Sequence, residues 1–229
     1  MDGADVRVVW LDLSPERDGA AAPRATLSAE ERSRVAKLAT ATLQRRAAVR
    51  LALRREVLGA LLGMPASSVE LTSDERGRLS VAGPAPLVVS SSSSGDVGLL
   101  AIASRRQVGA DVASTSEALD VPRFTQRIAT PRESAALGAL GPAARRDALA
   151  RLWTRKEAYL KATGEGISEG VAHVEVPLDE RLWQASFAPV PDGVRWLLYD
   201  LACPVAGFAA ALVVEPVGTR PPRVVVERR

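Results

Sequence analysis

The apolar positions fall into short runs rich in Val, Leu and Ala, separated by polar stretches, and into two longer segments with helical spacing. Residues 6–11 form the first run, and its β-branched content predicts a strand. Ser28 and Glu31 have the Ser-x-x-Glu spacing of a capping box, which predicts a helix start. Helical sequence continues, with a break near Thr40 to Thr42, to about Leu62, where Gly63 and Pro65 stop it. Ala47, Leu51, Leu58 and Leu62 recur at helical spacing as a core stripe. Arg46, Arg50 and Arg54 form a basic stripe on one face.

Residues 69–71, 77–79 and 87–89 read as strands, and a run of five serines, Ser90 to Ser94, follows. Residues 97–103 and 108–112 read as two strands; the polar connector between them predicts a hairpin. The second half has a similar layout. Helices are predicted at residues 131–140 and 145–162, the latter stopped by Gly164, and strands at 171–176, 182–187, 195–201 and 208–214. The tail, 220–229, holds two prolines and is expected to be loosely ordered. Helices and strands do not alternate regularly, so an α+β fold with antiparallel sheets is favoured over a parallel doubly wound sheet. No internal sequence repeat is visible. A boundary near Gln107 divides the chain into residues 1–107 and 108–229.

Composition then removes several classes. The 229 residues hold one Cys and one His, Cys203 and His173. An internal disulfide, a Cys-rich zinc site and any site with two His ligands are therefore excluded. No stretch approaches the ~20 apolar residues of a membrane helix, and the acidic N-terminus shows no secretory signal, so a cytoplasmic protein is expected. A net charge of +3 is too small to argue for nucleic acid. Of 30 basic residues 27 are Arg and only three are Lys: Lys37, Lys156 and Lys161.

Two of those Lys lie in the most informative segment, residues 151–166. Its pattern is Trp-Thr-x-Lys-Glu-Ala-x-x-Lys closed by Gly-x-Gly. On a helix, Trp153, Glu157 and Lys161 share one face, with a carboxylate and an ammonium one turn apart. Alone, that pair reads equally well as a surface ion pair. The second element is Val108-Gly109-Ala110-Asp111, where a strand would project Asp111 opposite to its apolar neighbours. Such an Asp can hold a hard cation or simply end a strand.

Together the two elements resemble the 4′-phosphopantetheinyl transferase superfamily, and within it the single-chain group acting on carrier proteins of secondary metabolism. Its signature is a Gly-x-Asp strand followed some forty residues later by a Trp-Ser/Thr-x-Lys-Glu-x-x-x-Lys helix; here 46 positions separate Asp111 from Glu157. The Leu27 to Arg32 opening, Arg50, the Gly77-Arg78 turn and the 97–112 segment follow the same family order. The resemblance implies two similar α+β halves, each an antiparallel sheet packed with a long helix, forming an intramolecular pseudodimer. It implies transfer of 4′-phosphopantetheine from coenzyme A to a serine of an acyl or peptidyl carrier protein, with release of 3′,5′-ADP, by a monomer that needs no membrane. Asp111 and Glu157 match ligands of Mg²⁺, or Mn²⁺ in its place. Glu157 also matches a group that takes the serine proton, and Lys161 one that stabilises phosphate charge. Lys156 matches too, either as a phosphate contact or as a structural pairing. Arg50 and Arg78 match basic residues that meet the nucleotide end of coenzyme A.

Two positions depart from the pattern. The usual second acid after the Asp is Ala113, and the family's Ser-His-Ser element falls on Ser92-Ser93-Ser94, with Ser93 in the place of His. Ser92 and Ser93 then offer only neutral hydrogen bonds to coenzyme A. These departures keep open the alternative of a non-catalytic relative that binds carrier protein or coenzyme A.

Overall fold

The computed structural model describes residues 5–15, 23–81, 86–116, 121–165, 171–178, 185–186, 196–218 and 220–229. The first half contains β1 (Val6–Asp12), α1 (Pro23–Thr26), α2 (Ala29–Ala36), α3 (Ala41–Leu62), β2 (Leu71–Ser73), β3 (Leu79–Val81), β4 (Leu87–Ser94) and β5 (Val97–Ser104). The second contains β6 (Val108–Ser114), α4 (Val121–Ile128), α5 (Pro131–Gly138), α6 (Pro142–Thr163), β7 (Ala185–Ser186), β8 (Leu197–Asp200), β9 (Phe208–Val214) and β10 (Val224–Arg228). The fold is α+β, as expected. One sheet has the order β10-β1-β5-β4-β3-β2 and the other β6-β9-β8-β7. The succession β1-β5-β4-β3 is thus repeated by β6-β9-β8-β7. All pairings are antiparallel except β1 with β10.

Alternation along the strands places each sheet between two cores. Val9, Leu11 and Leu13 pack with Val49, Leu53 and Leu58 of α3. On the opposite face Val8, Trp10 and Leu99 meet Ala110, Val112 and Leu212 of the second sheet. The outer face of that sheet, Ala211 and Val213, carries Leu149, Leu152 and Ala158 of α6.

The two long helices are stopped alike, by Gly63 and Gly164 in the left-handed conformation (φ 67° and 75°). The short helix before each begins with a capping box: Ser28 with Glu31, and Thr130 with Glu133. Each capping Glu also meets a buried cation from the long helix. Glu31 accepts from Arg54 and Arg55 at 2.8 and 2.7 Å. Glu133 accepts from Lys156 at 2.6 Å. Arg55 and Lys156 each stand fifteenth in a 22-residue helix. The two halves therefore share a buried ion pair as well as a strand order.

Four expectations change. The strand expected at 87–89 continues through the five serines to Ser94. The predicted hairpin of residues 97–112 does not form: β5 is flanked by β1 and β4, which leaves no edge for β6, and Arg105 (φ 61°) turns the chain into the second sheet. Residues 171–176 are irregular because their backbone bonds elsewhere, the Val171 carbonyl to Lys156 and the Val176 N–H to Glu133. The tail is ordered as β10, with Arg7 and Glu227 paired across the ladder. Of the predicted strand at 182–187 only residues 185–186 are described, and Gly166 of the Gly-x-Gly element lies outside the described residues.

Removing one member of a buried ion pair leaves an uncompensated charge. Lys156→Met, which strands the Glu133 carboxylate, is expected to lower the unfolding free energy by about 3–5 kcal/mol in denaturant titration. A wild-type midpoint would show that the pair does not hold α5 against α6.

Candidate active site

The site forms where α6 crosses β6. A Cβ on Gly109 would lie 1.9 Å from the Ala158 carbonyl oxygen and 2.6 Å from the Ala162 nitrogen. Only a residue without a side chain fits there. Ala158 and Ala162, both small and buried, complete the close approach. Asp111 is two residues along the same strand face, so it points at the same helix. There it meets Lys161, whose ammonium is 2.6 Å from Asp111 Oδ1. Glu157, one turn before Lys161, is 3% exposed.

The surroundings of Glu157 are unusual for a carboxylate. Its Oε1 is buried and has no hydrogen-bond partner among the described residues. Burial is the main influence and raises its pKa; Lys161 opposes this, and the Asp111 charge adds to it. The result is a carboxyl pushed up to about 7. Two carboxyl groups thus share one dry site with a single ammonium, and one oxygen there lacks a partner. This donor set fits a hard divalent cation, which takes oxygen ligands and tolerates water in the remaining positions. Ala113, on the strand face of Asp111, brings no further acid. Among the described residues no group of three or more His, Cys, Asp or Glu side chains is assembled.

The serine-rich strand closes the other side. Its alternate residues face the free edge of β6. Ser90 and Ser94 accept from the N–H groups of Ala110 and Ser114, both at 3.0 Å. Ser92, between them, donates to Asp111 Oδ1 at 2.6 Å. Hydroxyls thereby satisfy edge amides that β9 does not use. Ser93 points the opposite way and is exposed.

Beside Lys161 a cleft of about 200 Å³ opens, lined also by Arg76, Gly77, Arg78, Ser91 and Gly164. Arg76 and Arg78 reach across from the first half toward the Thr163 carbonyl at the end of α6, at 3.3 and 3.5 Å. Arg78 is fixed by Asp74 at 2.7 Å. The predicted Arg50 lies on α3, between Arg46, which pairs with Asp96, and Arg54, which pairs with Glu31. Arg50 itself has no carboxylate partner among the described residues; burial and then the nearby Arg34 lower its pKa. Lys156 is the predicted residue that stands apart. It is fully buried, and its three N–H groups go to Glu133, the Ile128 carbonyl and the Val171 carbonyl. Burial pushes its pKa down, against the opposing pull of Glu133. The pairing role is therefore the one observed, with no donor left for a phosphate.

Arg76 and Ser90 escaped the sequence reading, and Ser94 entered it only as the end of the Ser-His-Ser element. The Arg-Gly-Arg turn and the two-residue alternation of the serines are the signals that point to them.

Residues 107–212 match the family model described as the 4′-phosphopantetheinyl transferase superfamily. A curated relative, the 4′-phosphopantetheinyl transferase HetI of Nostoc sp., is 29% identical over 200 residues, covering 86% of this chain and 82% of the relative. A phosphopantetheinyl transferase of Thraustochytrium sp. is 32% identical over 169 residues, 68% of this chain and 59% of the relative. Over residues 107–212 the chain resembles this superfamily. The matched region contains Asp111, Glu157 and Lys161, the three side chains that converge at the α6–β6 crossing. A holo-[acyl-carrier-protein] synthase of Geobacillus kaustophilus is 43% identical over 60 residues, 25% of this chain and 46% of the relative. The relatives that align over the greater part of this chain are named as phosphopantetheinyl transferases, the enzyme class the chain is similar to.

In metal-free protein the folded Glu157 titrates near 7 and the unfolded one near 4.5. Below both values the group adds nothing. Between them the folded state binds the extra proton, so its contribution to stability falls as pH rises through that window. With chelator present, Glu157→Gln should melt at the wild-type temperature near pH 4.5. At pH 8 it should melt higher, by at least about 2–4 °C, the shift for about 1 kcal/mol in a chain of this size. A difference independent of pH would contradict the burial of an unpartnered carboxylate.

Proposed function

We propose that the chain transfers the 4′-phosphopantetheine group of coenzyme A to a serine hydroxyl of an acyl or peptidyl carrier protein and releases 3′,5′-ADP. The observation that carries this reading is the buried, unpartnered Glu157 oxygen beside Asp111, with Lys161 leading from that pair into an Arg-lined cleft. In the reaction the serine oxygen forms a bond to the β-phosphorus, and the bond from that phosphorus to the ADP oxygen breaks.

Asp111 and Glu157 would hold Mg²⁺, with Mn²⁺ as a substitute. Bound there, the cation would neutralise charge on the donor pyrophosphate and leave the phosphorus open to attack. Glu157 is placed to take the proton of the attacking hydroxyl. The Lys161 side chain is 29% exposed and lines the cleft, so its charge is available to the transferred phosphate and the leaving oxygen. Arg78 faces Lys161 from the first half and suits the adenine and phosphate end of the donor. Arg50, a half-buried guanidinium lacking a carboxylate, suits a remote phosphate. Ser93, exposed and in the place of the family element's His, offers a hydroxyl where His would offer charge.

The division at residue 107 follows from this reading, with donor-binding elements before it and the cation and proton-handling groups after it. The protein acts as a monomer on a soluble carrier; no helix among the described residues is long and apolar enough to cross a membrane.

The test is to incubate the full chain with coenzyme A, Mg²⁺ and an apo carrier protein, and to weigh the carrier by mass spectrometry. The expected result is a mass increase of one phosphopantetheine per carrier, with 3′,5′-ADP released in equal amount. Chelation should abolish it, and Asp111→Ala or Glu157→Ala should slow it by at least about 10²-fold, the loss typical of removing one transition-state contact. An unchanged carrier mass across several carriers would contradict the proposal.

A further inference from the structure

We propose that Ser92 is a positioning residue for Asp111: with Lys161 it holds one carboxylate oxygen and so presents the other to the cation. This rests on the cation reading above. The argument begins with the two oxygens of Asp111, which are treated differently. Oδ1 receives both the Ser92 hydroxyl and the Lys161 ammonium, each at 2.6 Å. Oδ2 receives no hydrogen bond from the described residues. A carboxylate fixed through one oxygen cannot rotate freely, and its second oxygen is the one left for a cation.

The three inward serines of β4 do not share one role. Ser90 and Ser94 accept from backbone N–H groups of β6 and hold the strand edge. Ser92 donates to the Asp111 side chain. It is also the donor to Asp111 that stays in place during the reaction. Lys161 serves two masters, since its ammonium lines the donor cleft while it contacts Asp111. When a phosphate enters, part of that ammonium's interaction turns away. The neutral Ser92 hydroxyl carries no charge to give up and continues to hold Oδ1. The positioning group comes from the first half and its target from the second, so cation affinity depends on the seam between the two sheets.

Outer hydrogen bonds to metal-binding carboxylates typically set metal affinity by 10–100-fold. The test measures Mn²⁺ binding to the full chain by electron paramagnetic resonance of free Mn²⁺, with and without coenzyme A, alongside thermal melting. Ser92→Ala is expected to weaken Mn²⁺ binding about tenfold. Ser92→Thr, which keeps the hydroxyl, should restore affinity to near wild type. Ser94→Ala should lower the melting temperature and leave Mn²⁺ affinity unchanged, which separates positioning from seam stability. Wild-type Mn²⁺ affinity in Ser92→Ala would overturn the proposal. So would parallel losses of affinity and melting temperature in Ser92→Ala and Ser94→Ala, because a purely structural seam would produce them. If the wild-type chain bound no Mn²⁺ under either condition, the cation reading itself would fail and this inference with it.

Discussion

The close contact between α6 and β6 is the constraint on which the site depends. At Gly109 the helix backbone occupies the space of a side chain. That approach brings one face of α6 within reach of the next inward residue of the strand, Asp111. The Gly-x-Asp spacing is then a statement about distance: the glycine admits the helix, and the aspartate two residues on meets what the helix carries. Glu157 and Lys161, one turn apart, are carried to that point by the same packing that buries Ala158 and Ala162. Packing thus forces two carboxyl groups and an ammonium into one small volume, and the raised pKa of Glu157 is the electrostatic consequence.

The same architecture occurs twice, yet the chemistry occurs in one copy. Strand order, helix length, capping box and buried ion pair all repeat. The fourth residue of β1 is Val9, where β6 has Asp111. Glu56 and Ala60 of α3 stand where α6 has Glu157 and Lys161, and both are exposed. The first half therefore keeps the scaffold and supplies other things: the serines that seal the β6 edge, and Arg76 and Arg78 at the cleft. What repeats is the stabilising pair, Glu31 with Arg55 and Glu133 with Lys156. Breaking either would leave a buried charge, so both halves hold it for stability.

Much of this was legible because local signals were strong. The Ser28–Glu31 capping box marked the start of α2, the glycine stops marked the ends of both long helices, and the Asp111, Glu157 and Lys161 signature marked the site. What escaped depends on long-range partners. The strand read at 87–89 could not be extended through the five serines until the free edge of β6 was known to need their hydroxyls. Residues 97–112 look like a hairpin until β1 and β4 are seen to occupy both edges of β5. Residues 171–176 have strand composition, but side chains of α5 and α6 take up their backbone groups. The internal repeat was hidden because Arg54, Arg55 and Lys156 preserve a charge rather than a residue type.

The most direct test of the central claim is Gly109→Ala, read by carrier modification and by circular dichroism of the same sample. The added Cβ would require α6 to move away from β6 and carry Glu157 and Lys161 out of reach of Asp111. The account predicts a loss of at least about 10²-fold in the rate of carrier modification, the scale on which small displacements of reacting groups act, in protein that retains its helical signal. Wild-type modification by Gly109→Ala would contradict it.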